Sequence, residues 1–117
     1  MATGTKNLVV ILGYIYGTPK FTYFENTNVV VNFAVKTFTR RQNAIGGFVT
    51  QPEIHRCEAW NTVCPNIESA AREGNKVFIQ GKLATQKYRK DGARDYTFVT
   101  KIICEEIMII ALKPQQK

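Results

Sequence analysis

At 117 residues the chain is long enough for one domain with a real core and too short for two. Hydrophobic residues make up 44% and charged residues 21%, which excludes a disordered chain and favours a globular one. Sixteen Lys plus Arg against nine Asp plus Glu leave a net charge of +7. That suits a partner with repeated negative charge, nucleic acid or an anionic surface, or else a basic protein whose charge serves only solubility.

The start, MATGTKNLVV, lacks the basic region, long apolar core and small-residue cleavage site of a secretory signal, and it is short for a transit peptide. NLVVILGYIYG is rich in β-branched and aromatic residues and reads as a first strand closing on GTP, a turn signal. TNVVVNFAVKTF alternates Val29, Val31, Phe33 and Val35 against Val30, Asn32, Ala34 and Lys36, the pattern of a second strand with one buried face. TRRQNAIGGFVTQP, with Gly46, Gly47 and Pro52, reads as a long basic loop opened by Arg40 and Arg41.

EIHRCEAWNT is a third strand, with Ile54, Arg56, Glu58 and Trp60 on one face and His55, Cys57 and Ala59 on the other. In VCPNIESAAREGN, Pro65 suits a first helical turn, Ile67, Ala70 and Ala71 have helical spacing, and Gly74 can end the helix. Residues 76–89 form a fourth strand. Odd-numbered Val77, Ile79 and Leu83 are expected in the core, along with Lys87 by parity, while Phe78, Lys82, Gln86 and Tyr88 face outward. RKDGARD is a hairpin turn around Asp-Gly. YTFVTKIICEEIMIIAL supplies the last strand or pair of strands; its greasiest run is interrupted by Glu105 and Glu106, and nothing approaches a transmembrane helix.

Three strands, a short helix and two more strands is the order of an OB-fold, an all-β, five-stranded Greek-key barrel with its helix between strands 3 and 4. Residues 1–112 are expected to form this domain and 113–117, KPQQK, a polar tail. Cys57, Cys64 and Cys104 are odd in number and widely spaced, and His55 is the only histidine. They read as apolar fillers in a reducing compartment, cytoplasmic or an organelle matrix, rather than as a metal site. No phosphate loop, paired catalytic carboxylates or nucleophile elbow is present, so neither an enzyme nor a cofactor is expected.

The outward face of the fourth strand mixes cations, amides and aromatics, and Trp60 has the same outward parity on the third. In a barrel the two faces can adjoin, making Trp60 and Tyr88 a stacking platform for bases; the alternative is that either packs at a subunit interface or beneath the long loop. Lys82, Lys87, Arg89, Lys90 and Arg94 cluster on the fourth strand and its hairpin, and with Arg41 they could follow phosphates or simply remain a solvated surface.

NLVVILGYIYGTPKFTY, VVVNFAVKT, HRCEAW, REGNKVFIQGKLATQKY and DYTFV occur in this order, and together they resemble the bacterial and mitochondrial single-stranded DNA-binding protein (SSB) family from about Lys6 to Ile110. The resemblance implies an OB-fold that assembles as a homotetramer, or a dimer, and binds single-stranded DNA without sequence preference in replication, recombination and repair, in the cytoplasm with the nucleoid. RNA stays open as a ligand. It further implies that Trp60 and Tyr88 stack on bases, that Arg56 and Arg72 are basic contacts, and that His55 lies near the subunit interface. Two family tryptophans fall opposite Arg41 or its neighbours and opposite Ile54, so fewer stacking platforms are expected. The family's acidic tail tip has no counterpart in KPQQK, which puts recruitment of repair partners in doubt. The competing reading is an OB-fold accessory subunit, in replication restart or RNA processing, that touches nucleic acid weakly.

Overall fold

The computed structural model describes residues 4–114, so Gln115, Gln116 and Lys117 of the expected tail lie outside the described residues. Five strands close into a barrel in the order β1-β2-β3-β5-β4: β1 (Val9–Tyr23), β2 (Val29–Gln42), β3 (Phe48–Trp60), β4 (Lys76–Tyr88) and β5 (Thr97–Ala111). One short helix, α1 (Ile67–Ala70), joins β3 to β4. This is the predicted OB-fold. β1 closes the barrel by pairing with β4 through its first half and with β2 through its second, while β3 and β5 meet in parallel at Cys57–Ile102 and Glu58–Ile103.

Alternation predicts the core well wherever a strand lies in the barrel wall. Val31, Phe33 and Val35 of β2, Cys57 and Ala59 of β3, and Val77 and Ile79 of β4 all point inward. Val30, expected outside, is buried too, because Thr22 and Trp60 flank it on the two neighbouring strands. Ile67, Ala70 and Ala71 of the α1 segment plug one end of the barrel. Pro65 precedes the helix rather than entering its first turn. Two glycines permit close strand crossings. A Cβ on Gly13 would lie 2.5 Å from the Lys36 carbonyl oxygen, and one on Gly81 would lie 2.1 Å from that of Ile103.

Three expectations need correction. The GTP segment does not end β1; Gly17 takes φ +73° and marks a shift in register against β2 between Tyr16 and Lys20, after which the strand continues. The long basic loop is mostly strand. β2 and β3 stay paired out to Gln42–Phe48, and only residues 43–47 turn, with Asn43 Oδ1 accepting from the backbone N–H groups of Ile45 and Gly47 at 3.1 and 2.8 Å. Leu83 is not core: it is 49% exposed, because beyond Gly81 the β4–β5 pair leaves the barrel, and Lys87 is exposed for the same reason. Asn7 accompanies this departure, pairing with the Leu83 backbone N–H at 2.9 Å and its carbonyl at 2.8 Å.

The result is a barrel from which two hairpin arms, β2–β3 and β4–β5, rise at the same end. At the closed end buried Asn75 joins three elements. Its Nδ2 donates to the carbonyls of Ser69 and Ala70, its Oδ1 accepts from Lys113 N–H at 3.1 Å, and its own carbonyl accepts from Ile15 N–H at 2.9 Å.

Candidate nucleic-acid interface

Cross-strand register sets the outer face opposite the core. On β2 and β3 the pairs Asn32–Glu58, Ala34–Arg56 and Lys36–Ile54 put even-numbered side chains outside. β5 and β4 continue the first two rows through Ile103–Lys82 and Lys101–Ala84. Arg56, Lys82 and Trp60 therefore share one face, as the sequence predicts.

Glu58 sits at the centre of that face. Its Oε2 accepts from Trp60 Nε1 at 3.1 Å and its Oε1 from Gln86 Nε2 at 3.3 Å. Lys101 Nζ lies 3.7 Å from Glu58 Oε1 and donates to Asn32 Oδ1 at 2.9 Å. The carboxylate would otherwise repel a polyanion; here it is neutralised and spent on orienting its neighbours. An open groove of about 570 Å³ crosses the same face, lined among others by Tyr16, Lys20, Ile54, Arg56 and Lys101.

Trp60 and Tyr88 do not adjoin. Tyr88 pairs with Thr97, whereas Trp60 lies two residues beyond the Glu58–Ile103 match, so about eight residues of β5 separate their levels, roughly 26 Å along an extended strand. Trp60 stands at the closed end, stacked on Phe24 with ring centroids 5.7 Å apart and an interplanar angle of 18°. Tyr88 stands, exposed, at the end of the β4–β5 strand pair. Polar Glu58 and Gln86 lie between them, not a continuous aromatic platform.

Arg41 and Arg89 occupy the two arms, Arg41 paired with Val49 near the β2–β3 tip and Arg89 with its guanidinium 5.4 Å from the Tyr96 ring centroid. Lys87 Nζ is closer to that ring, at 3.9 Å. Arg72 is elsewhere. Its Nε donates to the Glu68 carbonyl at 3.1 Å beside a separate depression lined by Phe21 and Tyr23, the odd-numbered side of β1. His55, on the odd face of β3, is within hydrogen-bond distance of Thr37 Oγ1 at 2.8 Å. Sequence reasoning overlooked Lys101, whose signal was its outward parity on β5 beside the predicted face, and Lys20, which lay beyond the expected end of β1 at GTP.

All three cysteines are free and buried. Burial, with Cys104 and Glu106 nearby, pushes the Cys64 thiol up to about 11. A hydrogen bond with Cys57, and then burial, raise Cys104 as well. Such thiols stay protonated near neutrality and are poor nucleophiles and metal ligands.

Residues 6–110 match the family model described as the single-strand binding protein family. Among curated relatives, Single-stranded DNA-binding protein 1 of Chlorobaculum tepidum is 26% identical over 113 residues, covering 97% of this chain and 69% of that protein. The single-stranded DNA-binding protein of Bacteroides thetaiotaomicron is 23% identical over 109 residues, covering 92% and 67%. Among solved structures, the Plasmodium falciparum SSB complex with ssDNA superposes with a TM-score of 0.77 at 20% identity, covering 94% of this chain and 99% of that one. A deletion mutant of the single-stranded DNA binding protein from Thermus aquaticus gives 0.73 at 17% identity, covering 90% of this chain and 50% of that one.

Proposed function

We propose that this chain, which belongs to the single-strand binding protein family, binds and protects single-stranded DNA without regard to sequence. The observation that carries the reading is the groove on the outer face, where Lys20, Arg56 and Lys101 lie beside Tyr16 and Ile54. Cations there neutralise phosphates and release counterions, while exposed rings accept bases of any kind, since every base has a π-face. Trp60 offers its part-exposed ring at the closed end; Tyr88, Arg89 and Arg41 extend the contact along the arms, and Lys82 continues the Glu58 row through Ile103. The names of the relatives, and the single strand held by the Plasmodium protein, support the same reading. The roles that follow are replication, recombination and repair, by binding rather than catalysis, in a reducing compartment that leaves the buried thiols free.

Self-association belongs to the same reading. A second outer surface on the far flank of the barrel is apolar. Leu8, just before β1, and Val10 and Leu12 on β1 recur at every second position, each about half exposed, and the row Leu12–Phe78–Met108 carries the surface across β4 to β5. A soluble barrel gains by covering such a patch, and a second copy of the chain covers it symmetrically, as a step towards a homotetramer. The test of function is competition: an unlabelled single strand should displace labelled oligothymidylate, whereas a duplex of equal length should not. Equal displacement by the two would reject selective single-strand binding.

A further inference from the structure

Across the barrel wall the central row of cross-strand partners is polar from β1 to β3: Lys20, Asn32 and Glu58. Asn32 is half-buried and lines the open groove. Its Oδ1 accepts from Lys101 Nζ at 2.9 Å. An ammonium only donates, so this contact fixes which end of the Asn32 amide is oxygen and which is NH2. Among the described residues that NH2 group has no hydrogen-bond partner, and it is not sealed from solvent. Beside it, Glu58 accepts from Trp60 Nε1 and Gln86 Nε2 and lies 3.7 Å from Lys101 Nζ. A carboxylate offers about four accepting positions, which leaves about one over. A donor and an acceptor thus stand side by side on adjacent strands, about 5 Å apart at Cβ, both next to Lys101.

We infer that Asn32 and Glu58 form a donor–acceptor fork that hydrogen-bonds the Watson–Crick edge of one unpaired base, whichever base it is. The inference rests on the proposed function and deepens it by assigning how the pairing state of the strand is read. All four bases carry an N–H donor next to an acceptor on that edge: adenine N6–H beside N1, cytosine N4–H beside N3, guanine N1–H beside O6 and thymine N3–H beside O4. Asn32 meets the acceptor and Glu58 the donor. In a duplex the opposite base engages both atoms, so the fork adds affinity for a single strand alone. Trp60 follows Glu58 by two residues on the same face, about 7 Å along β3, and holds the base flat while its edge meets the fork. A carboxylate at the centre of a polyanion site repels the ligand unless the ligand donates to it, and an unpaired base does.

The test compares oligothymidylate of about 16 nucleotides, the upper end of an OB-fold site, with the same oligomer methylated at thymine N3. Methylation keeps every ring and phosphate and removes the donor. The unaltered chain should bind the methylated oligomer at least about tenfold more weakly, as for a lost hydrogen bond to a charged group. Asn32→Leu, checked for folding by circular dichroism, should bind plain oligothymidylate about fivefold more weakly and lose most of the difference between the two oligomers. Asn32→Asp keeps the shape and an acceptor for Lys101, and it should lose the difference too; its added charge acts on both oligomers and cancels in the ratio. Equal affinity of the unaltered chain for the two oligomers would overturn the fork and leave the proposed function standing. A methyl penalty of unchanged size in both Asn32 variants would also overturn it, since the methyl group then clashes elsewhere. Binding of neither oligomer by the unaltered chain would reject the function itself.

Discussion

Phe24 and Trp60 stack at 5.7 Å, and the same indole donates its Nε1 proton to Glu58. The tryptophan is thereby restrained by a carboxylate and by a stacked ring from the β1–β2 connection, and the two rings line an open depression with Glu25, Asn26 and Asn28. Trp60→Ala should lower oligothymidylate affinity by about 1–3 kcal/mol, measured by anisotropy. Phe24→Ala should cost less, because it loosens the indole without removing it.

Glu58 is the acidic centre of a basic face, held by Lys101 at 3.7 Å. Glu58→Gln keeps the shape and an acceptor for Trp60, but releases Lys101 to meet phosphate. Affinity at low salt should rise, and the log–log salt dependence should steepen by roughly 0.7, the increment for one phosphate on a single strand. Lys101→Ala should act in the opposite direction, since it leaves the carboxylate facing the ligand unneutralised.

Asn75 ties the end of α1, β1 and Lys113 together from a buried position. Asn75→Ala strands buried backbone groups, and chemical unfolding should show a loss of about 1–3 kcal/mol with strand binding at 25 °C little changed.

The Cys64 thiol has an ordinary value of 9.0 and lies near 11 in the fold. The folded state thus holds this proton more tightly than the unfolded chain, so its stabilising effect is complete below about pH 9 and is lost as pH rises towards 11; Cys104 is shifted in the same direction. Urea midpoints should fall between about pH 8 and about pH 10.5, and Cys64→Ala should reduce the fall.

Leu12 lies in the exposed apolar row on β1. Leu12→Lys should shift the mass in light scattering from an oligomer to a monomer without unfolding the barrel. An unaltered chain already monomeric at micromolar concentration would refute the self-association reading.

Sequence legibility followed burial. In the barrel wall each strand has one dry face, so Cys57 and Ala59 against Glu58 and Trp60 could be assigned from alternation alone. The arms have two wet faces, and there alternation carries no inside or outside. That is why Leu83 and Lys87 were expected inward and why residues 39–52 read as loop, hiding the strand position of Phe48. Gly17 and Pro19 mimic a turn signal because the chemistry of a bulge is the same. The separation of Trp60 from Tyr88 depends on the β3–β5 register, a contact between strands more than forty residues apart that no local pattern encodes.

Trp60 is the chain's one tryptophan and reports directly on the central claim. Titration with oligothymidylate at low and high salt, followed by its fluorescence, should give strong, saturable quenching that persists into high salt. Quenching that is absent, or binding that vanishes with modest salt, would leave only charge attraction and favour an accessory protein that touches nucleic acid weakly.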